Sequence, residues 1–348
     1  MRIAVSVAGL WLSIALAYHA SPQAPSPPVT ASAANEDTLR SMRRSIDAGR
    51  ADQVLQEIAT LRAGGSPGRG LYRMEGLALY QKGDLRGADR AFGQATAEDG
   101  GDVESAQMRG LTLFRLGRPA EAIPLIEASR GRVPGQPDPY YILALCYMDT
   151  RRYDDARHAF AAQYGFQPDS AAAYLVAARM LLRREYLPIA RQYAEKSLEL
   201  DPALPLGHEL LGEIALAGNH LDDAIAEFEK ERSRNPLESA LYDRLGDAYL
   251  RAARYDDAER TLQQAILLQP TATGPYILLG KTLLKRSAPI GAATYLERAA
   301  KLDPGNYMTH SLLGQAYRAL GRIEDASRET AVAQKIQSEN EPKLDGMH

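Results

Sequence analysis

Residues 239–272 read SALYDRLGDAYLRAARYDDAERTLQQAILLQPTA. In the first half Tyr242, Leu245, Gly246 and Tyr249 recur at helical spacing, and in the second half Ala258, Leu262 and Ala265 do the same. The stretch therefore reads as two amphipathic helices with a turn between them. A glycine inside a helix costs about 1 kcal/mol relative to alanine, so Gly246 needs a reason to be there. Close approach of two helix axes supplies one, since a larger side chain would push them apart.

The same pattern recurs along the chain. Pro134, Pro168, Pro202, Pro236, Pro270 and Pro304 are spaced 34 residues apart. That register divides residues 69–340 without a gap into eight windows: 69–102, 103–136, 137–170, 171–204, 205–238, 239–272, 273–306 and 307–340. Position 20 is always Ala: Ala88, Ala122, Ala156, Ala190, Ala224, Ala258, Ala292 and Ala326. Position 8 is always Gly or Ala, with Gly76, Gly110, Ala144, Ala178, Gly212, Gly246, Gly280 and Gly314. Larger residues at positions 4, 11 and 24 then fill the space around the small ones. Pro119, Pro188 and Pro289 sit where the second helix should begin, where a missing N–H is harmless. Gly83, Gly117 and Gly321 occupy position 15, in the turn between helices, and Pro124 is expected to bend its helix locally.

Tyr140, Ala144, Tyr147, Ala156, Phe160 and Pro168 place an aromatic, a small residue, Tyr, Ala, Phe and Pro in an order that resembles the tetratricopeptide repeat family. The resemblance covers about four fifths of the chain. It implies an all-α fold: a right-handed α-solenoid of about eight helix-turn-helix repeats, with first helices lining a concave groove. It says little about function, because one repeat fold serves unrelated tasks. Residues 36–68 keep helical spacing in Leu39, Met42 and Ile46 and again in Leu55, Ile58 and Leu61, and read as a degenerate N-terminal hairpin. Thr330, at the position that holds Phe92, Phe160 or Phe228 elsewhere, and its polar neighbours suit a closing cap, as solenoids require. A tail follows over residues 341–348.

The chain has 348 residues, a formal net charge of −3 and one cysteine, Cys146. That charge gives no pull toward nucleic acid, and one cysteine excludes an internal disulfide or a cysteine metal cluster. Residues 1–20 carry one basic residue, Arg2, followed by an uncharged, mostly apolar run. They read as a secretory signal or an uncleaved anchor, which places the array outside the cytoplasm, as a periplasmic, secreted or membrane-anchored protein. The competing reading is a buried first helix. Residues 21–35, with Pro22, Pro25, Pro27 and Pro28 among Ala, Ser and Thr, read as a linker.

No catalytic set emerges and no cofactor is implied. His208 and Glu209 begin a zinc-hydrolase pattern whose second histidine is replaced by Gly212. His208 and His310 instead occupy position 4, where Tyr72, Tyr140, Tyr174, Tyr242 and Tyr276 stand in other windows, and read as packing residues. Cys146 lies among Leu, Ala, Tyr and Met and reads as core filler. The pairs Asp154–Asp155, Asp222–Asp223 and Asp256–Asp257 suit helix N-termini.

The resemblance implies that positions 2, 5, 9, 12 and 13 face the groove. The candidate partner-binding residues are then Arg115, Tyr141, Met148, Arg179, Arg183, Glu209, Glu213, Asp243, Asp247, Arg251, Lys281 and Lys285. Glu209 with Glu213, and Asp243 with Asp247, form an acidic block on two neighbouring first helices. The block fits either a basic segment of a partner or internal salt bridges to Arg179, Arg183, Arg251, Lys281 and Lys285. Three functions remain open: a non-enzymatic scaffold or adaptor that binds a protein or peptide segment, an accessory subunit of a secretion or polysaccharide-assembly complex, and a cation- or small-ligand-binding protein that uses the acidic block.

Overall fold

The computed structural model describes residues 31–65, 68–135 and 137–340. The apolar segment 1–20, most of the linker and the tail lie outside them. Among the described residues there are eighteen α-helices and no strand, and no helix is long and apolar enough to cross a membrane. The chain divides into two compact units, Met1–Ser105 and Ala106–His348.

In the first unit α1 (Ala31–Asp47) packs on α2 (Ala51–Ala63) and α3 (Leu71–Lys82), and α3 pairs with α4 (Leu85–Glu98). Two details differ from expectation. Helix α1 starts at Ala31, so residues 31–35, read as linker, are helical. The run holds no proline after Pro28 and is rich in alanine, the strongest helix former. The buried stripe of α2 is Ala51, Val54 and Ile58, while Leu55 and Leu61 are half-buried. Helix α1 buries Met42 and Ile46.

Helix α5 (Val103–Arg115) starts at the end of the first unit and is followed by α6 (Pro119–Ser129). The second unit continues with six hairpins: α7 (Tyr140–Asp149) and α8 (Tyr153–Tyr164), α9 (Ala171–Arg183) and α10 (Leu187–Leu200), α11 (Gly207–Ala217) and α12 (Leu221–Arg234), α13 (Ser239–Arg251) and α14 (Tyr255–Leu268), α15 (Thr273–Lys285) and α16 (Pro289–Leu302), α17 (Tyr307–Ala319) and α18 (Ile323–Asn340). Each 34-residue window holds one hairpin. Pro119 and Pro289 open α6 and α16, and Pro188 is the second residue of α10. Pro124 lies inside α6.

The recurrent small residues mark the tightest contact in each hairpin. Every position-20 alanine is 2% exposed or less. A Cβ added at Gly246 would lie 2.5 Å from Leu262, one at Gly212 2.5 Å from Phe228, and one at Gly76 2.6 Å from Phe92. Position 8 therefore receives the position-24 side chain of its own hairpin. In α9 and α10 the pair is Ala178 and Ala194, both fully buried, while α7 and α8 fit Ala144 against Phe160.

In the second unit, second helices pack against the first helix of the next hairpin. The first helices α9, α11, α13, α15 and α17 also touch in succession. Elements on the inside of a curved stack are the ones that come closest, so within this unit the first helices form the inner row.

The turns share one geometry. Position 15 is left-handed in all eight hairpins: Gly83, Gly117 and Gly321, and also Arg151, Glu185, Asn219, Ala253 and Ser287, with φ between 58° and 81°. In seven of them the next N–H bonds back to the helix, as Arg254 to the Tyr249 carbonyl at 2.9 Å and Ala288 to that of Leu283 at 2.8 Å. This is the Schellman closure, which satisfies the last carbonyls of the helix. Residues other than glycine and asparagine pay roughly 1–2 kcal/mol for it. Ala253→Gly and Ser287→Gly should each stabilise the protein by about 0.5–1 kcal/mol, less than the full strain because glycine also loosens the unfolded chain. Thermal melts would show this as a rise in Tm, and a fall in both variants would contradict the assigned turn.

Candidate partner-binding face

The stacked hairpins bury the apolar stripes of both helices, which leaves the inner faces of the first helices and the outer faces of the second. Away from the inner row one polar pattern recurs. Tyr249 donates its hydroxyl to Glu229 of the preceding hairpin at 2.6 Å, and the Arg254 guanidinium lies 4.7 Å from the Tyr249 ring centre. The same trio recurs as Tyr317, Glu297 and Arg322, and as Tyr147, Glu127 and Arg152. Burial raises all three tyrosine hydroxyls above their ordinary range, Tyr317 to about 12, and the neighbouring glutamates add to the rise. A cleft of about 480 Å³ opens beside Tyr249, but its charges are matched, Arg232 with Glu229 and Arg260 with Asp257.

The histidines fill the slot expected of them. Tyr242 and Tyr276 donate their hydroxyls to the carbonyls of Pro236 and Pro270 at 2.9 and 3.1 Å, and His310 Nε2 stands 3.0 Å from that of Pro304. His208 and His310 each place Nδ1 2.6 Å from a glutamate, Glu227 and Glu329. Cys146 is fully buried, and burial pushes its thiol up to about 12, which keeps it protonated and poorly nucleophilic. No three His, Cys, Asp or Glu side chains among the described residues gather in a way that could hold a metal ion.

The inner row brings the acidic block together, and much of it is already paired. Arg244 donates to Glu209 and, through Nε, lies 2.9 Å from Glu213. Arg179 reaches Glu213 at 3.3 Å, and Arg251 is 4.0 Å from Asp247. Of the five cations expected as internal partners, only Arg179 and Arg251 take part, and the central one, Arg244, was not among them. It stands at position 6, which is Met, Ile, Val or Leu in the other seven windows. A lone charge in an apolar register was the available signal. Glu231 is a second such charge, 1% exposed at a position that is Ala or Ser in six other windows. It accepts from the Leu206 N–H at 3.3 Å, while its Oε2 has no partner.

Several candidates change role. Met148 is 1% exposed and belongs to the core, because neighbouring side chains cover position 12 there. Glu209 is only 5% exposed and is covered by Arg244. Tyr141 is half-buried, edge-on to Phe160 with ring centres 5.9 Å apart. Arg115, Arg183, Lys281 and Lys285 are exposed on the first helices.

Asp243 remains without an ion pair. Its Oδ1 is buried and has no hydrogen-bond partner, and its carboxylate packs against the backbone at Gly274, where a Cβ would lie 3.1 Å away. Burial raises the Asp243 carboxyl above its ordinary range, Asp247 adds to the rise, and Arg244 opposes it. Burial also raises Glu209, against the pull of Arg244 and with a further push from Glu213.

Arg244→Met should cost about 2 kcal/mol, because it leaves Glu209 buried without a counter-charge; fully buried pairs lose roughly 3–5 kcal/mol, and Arg244 is itself partly exposed. Adding Glu209→Gln should recover part of the loss in denaturant unfolding. An unchanged midpoint for Arg244→Met would show that the pair is not coupled.

Tetratricopeptide repeat models match residues 113–180, and residues 73–137, 209–275 and 277–333. No curated protein matches the chain. Among solved structures, MamA residues 41–end from Desulfovibrio magneticus RS-1 is 19% identical with a TM-score of 0.47, covering 50% of this chain and 98% of that one. YrrB, titled a TPR protein with an unusual peptide-binding site, is 22% identical with a TM-score of 0.45, covering 53% and 95%. The Cut9–Hcn1 hetero-tetramer is 19% identical with a TM-score of 0.43, covering 76% and 52%.

Proposed function

Because the chain belongs to the tetratricopeptide repeat family, we propose that it is a non-enzymatic protein-interaction scaffold that holds a segment of a partner protein on the inner row of first helices, centred on α13. The apolar start of the sequence is the ground for placing this activity outside the cytoplasm, on an exported or membrane-anchored array.

The Asp243 carboxylate carries the reading. A buried oxygen without a donor costs about 1–3 kcal/mol, and a charged one more. The protein keeps this cost on a face whose neighbours Asp247 and Arg251 are partly open to solvent. A basic group from a partner, seated beside Asp247, would offset the charge that Asp243 carries. This keeps a basic partner group, and centres it on Asp243 and Asp247 rather than on the Arg-covered Glu209 and Glu213.

The charge of Asp243 has a defined pH signature. Its folded-state pKa lies above the unfolded one, so it contributes stability below about pH 4 and loses that contribution as pH rises through the folded value. Asp243→Asn should therefore raise Tm at neutral pH, with the gain shrinking near pH 3.5. The same substitution should abolish capture of the partner from an envelope extract when the full chain is the bait. A variant that is more stable yet captures the same protein would place the binding face elsewhere.

A further inference from the structure

One hairpin beyond Asp243, the inner row carries charge of the opposite sign. Lys281 and Lys285 are exposed on α15, four residues apart, and so share one helix face. Among the described residues neither has a carboxylate within 4.0 Å; Asp247 is paired with Arg251, and Asp256 and Glu259 with Arg286. A cation in the last turn of a helix is stabilised by the helix dipole, which accounts for Lys285. Lys281 lies further upstream, where that effect has faded, and a like-charged neighbour at four residues disfavours it. Neither an ion pair within 4.0 Å nor the helix dipole accounts for a cation at Lys281.

Asp247 and Lys281 hold the same position in consecutive hairpins, and α13 packs against α15. Packed helix axes lie about 8–10 Å apart. An extended chain rises about 3.3 Å per residue, so three residues span the gap. Any segment crossing the two helices meets an unsatisfied carboxylate first and two unmatched ammonium groups next.

We propose that the partner segment is extended and two-signed: a basic residue meets Asp243 and Asp247, and an acidic residue about three positions away meets Lys281 and Lys285. This rests on the inner row being the binding face. Opposite charges arranged in this order would also fix the direction in which the segment lies, since the reversed order sets like charges together.

The test is selection of peptides from a random twelve-residue library on the immobilised full chain, run in parallel on a chain carrying Lys281→Glu and Lys285→Glu. Both substitutions are exposed, and retained helicity by circular dichroism confirms folding. The expected outcome is enrichment of peptides that carry Arg or Lys about three residues from Asp or Glu. Their binding should weaken at least tenfold on the reversed chain, which should instead select peptides with a second basic residue at that place. Enriched peptides without the acidic residue, or bound equally by both chains, would overturn the two-signed segment and leave the scaffold standing. No enrichment above the uncoated support would overturn the inner row as a peptide-binding face and this inference with it.

Discussion

The meeting of position 8 with position 24 inside each hairpin sets the geometry on which the rest depends. Gly246 against Leu262, Gly280 against Leu296 and Gly212 against Phe228 bring the two helices to a distance that a single added Cβ would violate. The buried alanine at position 20 lies on the same seam. With the hairpin closed this tightly, its remaining apolar faces point sideways and are buried only by neighbours, which is why the array propagates. At the C-terminal end the seam relaxes. Gly314 faces Thr330 with a Cβ-to-oxygen distance of 3.0 Å, and α18 buries only Ala326 and Ala333.

Such stacking divides the polar surface into two kinds. On the outer side, tyrosine, glutamate and arginine from adjoining hairpins satisfy one another three times over. On the inner row the matching is incomplete. Arg244 neutralises Glu209 and Glu213 together, yet Asp243 keeps a buried, donorless oxygen, and Lys281 with Lys285 keeps two positive charges without a partner. Unmatched charges of both signs on this row mark a place where an external group would gain.

The period of the prolines and the small residues made the helices, their pairing and their order legible in the sequence, because close packing restricts residue type at fixed positions. It also made the packing role of His208 and His310 legible, since both stand in a tyrosine register. Depth of burial was less legible. Met148 and Leu216 share a position, but only Met148 is fully buried, because coverage depends on the size of the side chains the next hairpin brings. Arg244 escaped for a related reason: position 6 belongs to the apolar face in every other window, and a rule built on that face does not look there for charge. The stripe of α2 shifted to Val54 because that hairpin has no consensus to fix its register.

The most direct test of the interlock is a double-mutant cycle at Gly246 and Leu262, read by denaturant unfolding of the full chain. Gly246→Ala should cost about 1–3 kcal/mol by overpacking, and Leu262→Ala about 2–5 kcal/mol by leaving a cavity. If the two side chains compete for one space, the double variant, which reproduces the natural pair Ala178 and Ala194, should lose at least about 1 kcal/mol less than the sum of the single costs. Costs that simply add would contradict the interlock as the constraint that sets the hairpin.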